Sequence, residues 1–410
     1  MEAVQINITQ AQKTRVSLSY LFYTFLKIGC VSFGGYMALV ALMQKLMVDK
    51  DEVVDNEIIL EGITVASLLP GPLAVNVVAY IGYRLKGKTG ALVSMLGVLL
   101  PACTLMLLLS WVYFTYSYKV EWALIMQYVA GTVSAIILSA GLQLFKKEIS
   151  KDHKKIALCV FTVVVISVIN SYMVTIALIF IGAIAGFFMG GHKHAGISIG
   201  DIFKTGYKFK INTASILMGI LVVNEALFLT NVYKNLNNIL LKIGMVFSGI
   251  SLSLFGGGYV MIPIMQSLFV KDLHWLTVQE FIDAIAFSQA TPGPILVSST
   301  FIGYKLAGIA GAILATVAMF APSAILMIMV AKLFKKNKDH ALVKNVVGGI
   351  KVVIIGLIIS SALRIVFQLH LTPVIVIIPI IALILSYKYK INPVYLIIAS
   401  ISLGVLTKYI

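Results

Sequence analysis

Between Ala91 and Tyr116 the chain runs without a single charged side chain, and Val352 to Leu363 is a second such stretch. A helix needs about 20 predominantly apolar residues to cross the hydrocarbon core of a bilayer. In lipid, each backbone polar group must also find its partner inside a helix or a closed barrel. The alternating ten-residue strands of a membrane barrel do not describe these runs, so they are helical. Composition agrees: 60% of the residues are hydrophobic and 12% charged, whereas a soluble domain carries about 25% charged residues. The fold class is all-α, a polytopic helical membrane protein.

Apolar runs bounded by charges, Gly, Pro or Asn place spans near residues 20–44, 58–83, 89–116, 122–145, 156–170 and 172–190, a seventh near 212–232, and six more near 239–269, 279–304, 308–331, 345–368, 371–387 and 392–409. These thirteen divide into matching halves. Phe33-Gly34-Gly35 recurs as Phe255-Gly256-Gly257 and Pro70-Gly71-Pro72 as Pro292-Gly293-Pro294, at an offset of 222. Ile81-Gly82-Tyr83 recurs as Ile302-Gly303-Tyr304, Gly90-Ala91 as Gly311-Ala312 and Pro101 as Pro322, all at 221. One deleted residue between the second and third elements accounts for the change. The domain reading is a first repeat over 1–190, a connector over 191–238 with one linking helix, and a second repeat over 239–410.

The charges between the spans give orientation. The loop 146–155 holds five lysines and its counterpart near 368–372 none, while 116–122 holds only Lys119 and its counterpart 332–344 holds five. Homologous loops exchange their positive charge, as they do when two repeats sit upside down relative to each other. With the N-terminus inside, the N-terminal tail and even-numbered loops carry 22 cations and the opposite side six. This predicts a multi-pass protein of the cell membrane with a cytoplasmic N-terminus and an external C-terminus. The first 17 residues contain no apolar core of a signal peptide. The net charge of +16 is assigned to cytoplasmic loops and anionic lipid, not to nucleic acid, since no basic stretch carries an interleaved aromatic platform.

Proline inside an apolar run removes a backbone donor and clashes with the preceding turn. The two Pro-Gly-Pro elements therefore predict helix breaks near mid-membrane, buried in protein or lining a watery cavity. A half-helix that starts after a break points its free N–H groups and positive dipole end at that place, which is an anion site made of backbone. Discontinuous helices at corresponding positions of two repeats are the mark of a transporter's substrate site. The candidates are Pro70, Gly71, Pro72, Pro292, Gly293 and Pro294, with Asn76 and Ser298 as side-chain donors. Ser67, Gln289, Thr291, Ser299 and Thr300 also flank the breaks. Gly34, Gly35, Gly256, Gly257 and Gly258 form either further breaks or close helix contacts.

Ionisable groups within spans are costly and usually functional. Lys27, about eight residues into the first span, is a candidate anion contact or a side chain reaching back to the interface. Glu61 and Asp283 stand at matching positions (283 − 61 = 222) ahead of each Pro-Gly-Pro, and are candidates for carrying protons or first-turn acids that suit a helix N-terminus. No His and carboxylate set falls inside a span, which argues against an enzyme. Cys30, Cys103 and Cys159 lie in apolar runs without metal-ligand spacing and read as small core residues, so neither metal nor cofactor is implied.

These motifs resemble those of the chromate transporter (CHR) family, in its two-domain form. The resemblance rests on Ser32 to Gly35, Leu69 to Pro72, Ile81-Gly82-Tyr83 and Leu100-Pro101, and on Phe255 to Tyr259, Ile262-Pro263, Gln289 to Pro294, Ile302-Gly303-Tyr304 and Ala321-Pro322. It implies secondary transport of chromate, as efflux driven by the proton motive force, with sulfate as the structural analogue. Proline usually follows the two glycines of the first half, whereas here Tyr36 does. The alternatives are import of sulfate or a related anion, and an anion channel. The partners implied are a small inorganic oxyanion and the lipid bilayer, and a homodimer is left open.

Overall fold

A computed structural model describes residues 16–32, 36–116, 122–169, 172–189, 237–253, 258–334, 341–367 and 373–409. Among them every regular element is a helix, and there is no strand. The expected linking span at 212–232 and the glycines Gly34, Gly35, Gly256 and Gly257 lie outside the described residues.

The helices are α1 Leu18–Val31, α2 Tyr36–Met43, α3 Asn56–Leu68, α4 Leu73–Tyr116, α5 Trp122–Glu148, α6 His153–Val168 and α7 Tyr172–Met189. The second half holds α8 Ile239–Ser253, α9 Met261–Met265, α10 Val278–Ala290, α11 Ser298–Phe334, α12 Ala341–Phe367, α13 Pro373–Tyr387 and α14 Pro393–Tyr409. Four stretches, in α4, α5, α11 and α12, are long and apolar enough to cross a membrane by themselves.

The backbone repeats as closely as the motifs do. Helix α2 runs into a π-helix at Gln44–Lys50, and the same wide turn recurs at Gln266–Asp272, 222 residues later. Glu52 and His274, again 222 apart, both hold a positive φ, near 49° and 52°. Within α4 the chain turns at Lys86-Gly87, and within α11 at Ala307-Gly308. These turns fold 73–85 back along 88–116. A Cβ built on Gly90 would stand 2.2 Å from the carbonyl oxygen of Gly82, and one on Gly311 2.2 Å from that of Gly303. The recurring Ile-Gly-Tyr and Gly-Ala motifs therefore mark glycine-to-glycine backbone contacts, where any side chain would push the two segments apart.

Segment 58–83 reads in sequence as one interrupted span. In the structure its two arms, α3 and the start of α4, lie side by side. Gly62 packs against the Tyr80 ring, and Arg84 donates to Glu61 at 3.2 Å, so residues nine to thirteen positions either side of Gly71 touch. Each arm holds about 13 residues, some 20 Å of helix, and Pro70-Gly71-Pro72 forms the tip of the hairpin. The second repeat does the same, with Lys305 paired to Glu280 across the tip at Pro292-Gly293-Pro294. The segment 20–44 is also folded back, since the Tyr20 hydroxyl at the start of α1 donates to Asp51 beyond the π-turn at 2.6 Å.

The halves interlock. Helix α5 of the first packs on α13 and α14 of the second, α12 packs on α6 and α7, and α4 meets α11 at the centre. The largest buried cluster accordingly mixes Val75, Ala102, Met106 and Val129 with Phe247, Phe281, Phe301 and Phe320. Cys159 is buried as expected, whereas Cys30 is exposed on the outer face of α1.

Candidate functional site

Both Pro-Gly-Pro tips leave helical geometry, and the cause is local. Proline at the third place cannot donate within a helix, and the middle glycine holds φ near 118° at Gly71 and 116° at Gly293, a region side chains rarely adopt. Helix α3 ends at Leu68 before the first tip and α4 begins at Leu73 after it; α10 ends at Ala290, and a 3-10 turn at Ile295–Val297 leads into α11. The N-terminus of α4 or α11 thus opens at a buried tip, and the first N–H groups of a helix have no partner within it.

Each tip is covered by the other repeat. A Cβ at Gly71 would lie 2.1 Å from Cβ of Ser323, and one at Gly293 2.9 Å from Cβ of Ala102. Ser323 and Ala102 each follow the proline inside the long helix, Pro322 or Pro101, so the Leu-Pro and Ala-Pro motifs mark where α4 and α11 cross the opposite tip. The two glycine-bearing hairpins of different halves also meet directly, for the Gly293 N–H donates to the Ser32 carbonyl at 3.0 Å. The Gly293 amide is therefore occupied. The free backbone donors belong to the first turns of the following helices.

Buried polar side chains without a partner gather here. Among the described residues, Ser32 Oγ, Asn76 Oδ1, both side-chain atoms of Gln289, Ser298 Oγ and Ser299 Oγ are buried and make no hydrogen bond. Buried polar groups are nearly always satisfied, and leaving one unmade costs about 1–3 kcal/mol. Asn76, fully buried, donates to the Pro70 carbonyl at 3.3 Å and so braces its own tip. Ser298 is its counterpart at an offset of 222 and is free. Gln289, Ser299 and Ser32 join the two side chains singled out from sequence. Their signal was adjacency to a motif, which does not separate them from Ser67, Thr291 and Thr300. Those three are satisfied, by the Thr64 carbonyl, the Ser288 carbonyl and Thr316 respectively.

Other candidates fall elsewhere. Lys27 is exposed on the side of α1 opposite its buried residues Leu21, Thr24, Phe25, Ile28 and Gly29, and does not join the tips. Gly258 begins a 3-10 turn near Ile295. Glu61 and Asp283 occupy matching places in different surroundings. Glu61 is partly exposed and paired with Arg84 at 3.2 Å. Asp283 is fully buried, forms no ion pair among the described residues, and accepts from the Tyr113 hydroxyl at 2.7 Å and the Gln279 amide at 2.9 Å. A cavity of about 280 Å³ lies between residues 92–107 and 312–321, but leucine, isoleucine and methionine dominate its walls, which suits hydrocarbon better than an ion.

With the geometry in view, the sequence comparisons become specific. The model of the chromate transporter family matches residues 19–187 and 241–405. The chain belongs to the chromate transporter family. The matched segments contain both Pro-Gly-Pro tips, and they leave out the connector. A probable chromate transport protein of Synechococcus elongatus is 30% identical over 391 residues, covering 94% of this chain and 95% of the relative. The chromate transport protein of Cupriavidus metallidurans is 27% identical over 347 residues, 85% of this chain and 82% of the relative. An uncharacterised transporter of Methanocaldococcus jannaschii is 28% identical over 387 residues, 94% and 93% respectively. No solved structure matches.

Proposed function

We propose that this family member is a secondary transporter of a tetrahedral oxyanion, chromate, which it exports from the cell at the expense of the proton gradient. The observation that carries the reading is the set of buried hydroxyl and amide groups without a partner among the described residues, Ser32, Gln289, Ser298 and Ser299, beside the second tip and the N-terminus of α11. Hydroxyl and amide donors hold an oxyanion without a full positive charge, which leaves release possible. The substrate shell is assigned to the first backbone N–H groups after each tip, at Leu73 to Val75 and at Ile295 and Leu296, with the side chains of Asn76, Gln289, Ser298 and Ser299.

In this reading the repeats are inverted in the membrane, with the N-terminus cytoplasmic and the C-terminus outside. Folding back two segments per repeat removes an even number of crossings from each half, so the inversion still needs the span at 212–232. Hairpins entering from opposite faces then meet tip to tip, and rocking one repeat against the other alternates access to a fixed midplane site. Proton coupling is assigned to an acid at the matching positions 61 and 283.

The test is uptake of labelled chromate and labelled sulfate into inverted and right-side-out vesicles, with and without a pH gradient. Saturable chromate accumulation in inverted vesicles that grows with the gradient is the expected result. Accumulation of sulfate in right-side-out vesicles would establish an importer instead, and a non-saturating flux indifferent to the gradient would establish a channel.

A further inference from the structure

The two acid positions are not equivalent, and the difference narrows the energy coupling proposed above. In the first repeat Arg84 takes Glu61, and it also donates to the Tyr80 hydroxyl at 3.0 Å. Its counterpart in the second repeat, Lys305, reaches past Asp283 to Glu280, one turn earlier on α10. Position 58, which corresponds to Glu280, is isoleucine, and Arg84 pairs with Glu61 itself. Among the described residues Asp283 is left with the neutral donors Tyr113 and Gln279.

One of those donors comes from the other repeat. Tyr113 sits near the end of α4, and its ring packs edge-on against Phe287 and Phe301, with centroids 5.7 and 5.3 Å away. Phe114 joins the same aromatic group through Phe301 and Tyr304. The phenol is thereby held with its hydroxyl on Oδ2 of Asp283, while Gln279 holds Oδ1. The counterpart position in the second repeat, 334, is phenylalanine and has no hydroxyl. Helix α10 leads from Asp283 to Gln289 in six residues, about 9 Å of helix, and then to the Gly293 tip.

We propose that Asp283 is the one proton-carrying carboxylate of the transport cycle, and that Tyr113 reads its protonation state across the repeat interface, while Glu61 is structural. An ionised carboxylate only accepts, and here both oxygens do. When one proton binds at Oδ2, that oxygen becomes an O–H donor facing another donor. The Tyr113 hydroxyl must then turn to accept, or the bond must part. Either change alters the tie between α4 and the helix that ends at the second tip, and the proton leaves to the opposite side when the tie re-forms.

The groups facing Asp283 are few. From α4 there is Tyr113, and from its own helix Gln279 and Glu280. The charge that α11 brings, Lys305, is occupied by Glu280. Among the described residues, the side chains seen bonded to Asp283 are those of Tyr113 and Gln279.

This inference rests on the oxyanion-transport reading, and two measurements separate their failures. In proteoliposomes of the full chain, chromate counterflow without a gradient reports transport alone. Asp283→Asn is expected to keep counterflow and lose the acceleration by a pH gradient, whereas Glu61→Gln keeps both. Tyr113→Phe is expected to keep counterflow and lower the gradient response by roughly fivefold, as the loss of one hydrogen bond worth about 1 kcal/mol implies. Independently of transport, infrared difference spectra between acid and alkaline buffer are expected to show, among the bands of the other protonated carboxyls, one band common to the wild type and Glu61→Gln. The band is absent in Asp283→Asn and shifted in Tyr113→Phe. Loss of counterflow in the wild type would sink the transport reading and leave the infrared test of Asp283 standing. A gradient response that survives Asp283→Asn, or an unshifted band in Tyr113→Phe, would overturn the inference.

Discussion

The two Pro-Gly-Pro tips hold their middle glycines at nearly the same φ, 118° and 116°, and differ in much of what surrounds them. The first is braced by its own Asn76, closed by Ser323, and flanked by an ion pair between Glu61 and Arg84. The second has Ser298 where Asn76 would be, meets the methyl of Ala102, borrows the Ser32 carbonyl for its glycine amide, and carries a buried acid that, among the described residues, is held by neutral donors. Duplication set the backbone of both. Divergence then made the first tip self-sufficient and left the second with open donors. The first repeat's tip is the more structural half of the pair, and the second the more chemical.

The largest expected difference is steric. Alanine at either tip glycine is strained by about 1–3 kcal/mol, because φ is positive at both. Gly71→Ala adds a direct overlap with Ser323 and Asn76, which overpacking data place at about 1–3 kcal/mol more. Gly71→Ala is expected to abolish recovery of folded protein from detergent. Gly293→Ala should remain foldable, and a second change, Ala102→Gly, should restore part of its lost thermal stability. Equal losses for the two glycines would break the comparison.

A smaller effect should separate the counterpart side chains. Ser298→Ala removes a hydroxyl with no partner in the protein, so melting temperature holds while the half-saturating chromate concentration rises about tenfold, the value of one hydrogen bond to an anion. Asn76→Ala also removes the brace on the Pro70 carbonyl, and is expected to lower thermal stability by about 1 kcal/mol as well. If Ser298→Ala destabilises the protein without changing affinity, its role is packing.

The smallest effect belongs to the ion pairs, whose side chains stay 18–38% exposed. Pairs of that kind contribute about 0–1 kcal/mol. Arg84→Gln should therefore shift thermal unfolding by a degree or two. Lys305→Gln should cost more and change the gradient dependence of transport, because it leaves Glu280 one turn from Asp283 without its cation. Identical behaviour of the two variants, measured by unfolding and by flux, would remove the asymmetry between the repeats.

Helical class, internal duplication and the places where helices stop were all legible in the amino-acid order, because each depends on local chemistry. An uncharged run must satisfy its own amides in lipid, and proline beside glycine interrupts a helix wherever it stands. The recurrence of Gly82 with Gly90, and of Pro101 with Pro322, was visible without its meaning, since the contacts those residues make lie across a turn or in the opposite repeat. Tertiary structure alone decided that 20–44 and 58–83 fold back as hairpins, that Lys27 faces outward, and that Gln289 and Ser299 are free while Thr291 and Thr300 are satisfied. It alone decided which of two matching acids keeps a cation. Hydrogen bonding and charge pairing are set by distances of a few ångströms between segments far apart in the chain, 170 positions for Tyr113 and Asp283 and 261 (293 − 32) for Ser32 and Gly293, and no local pattern encodes such distances.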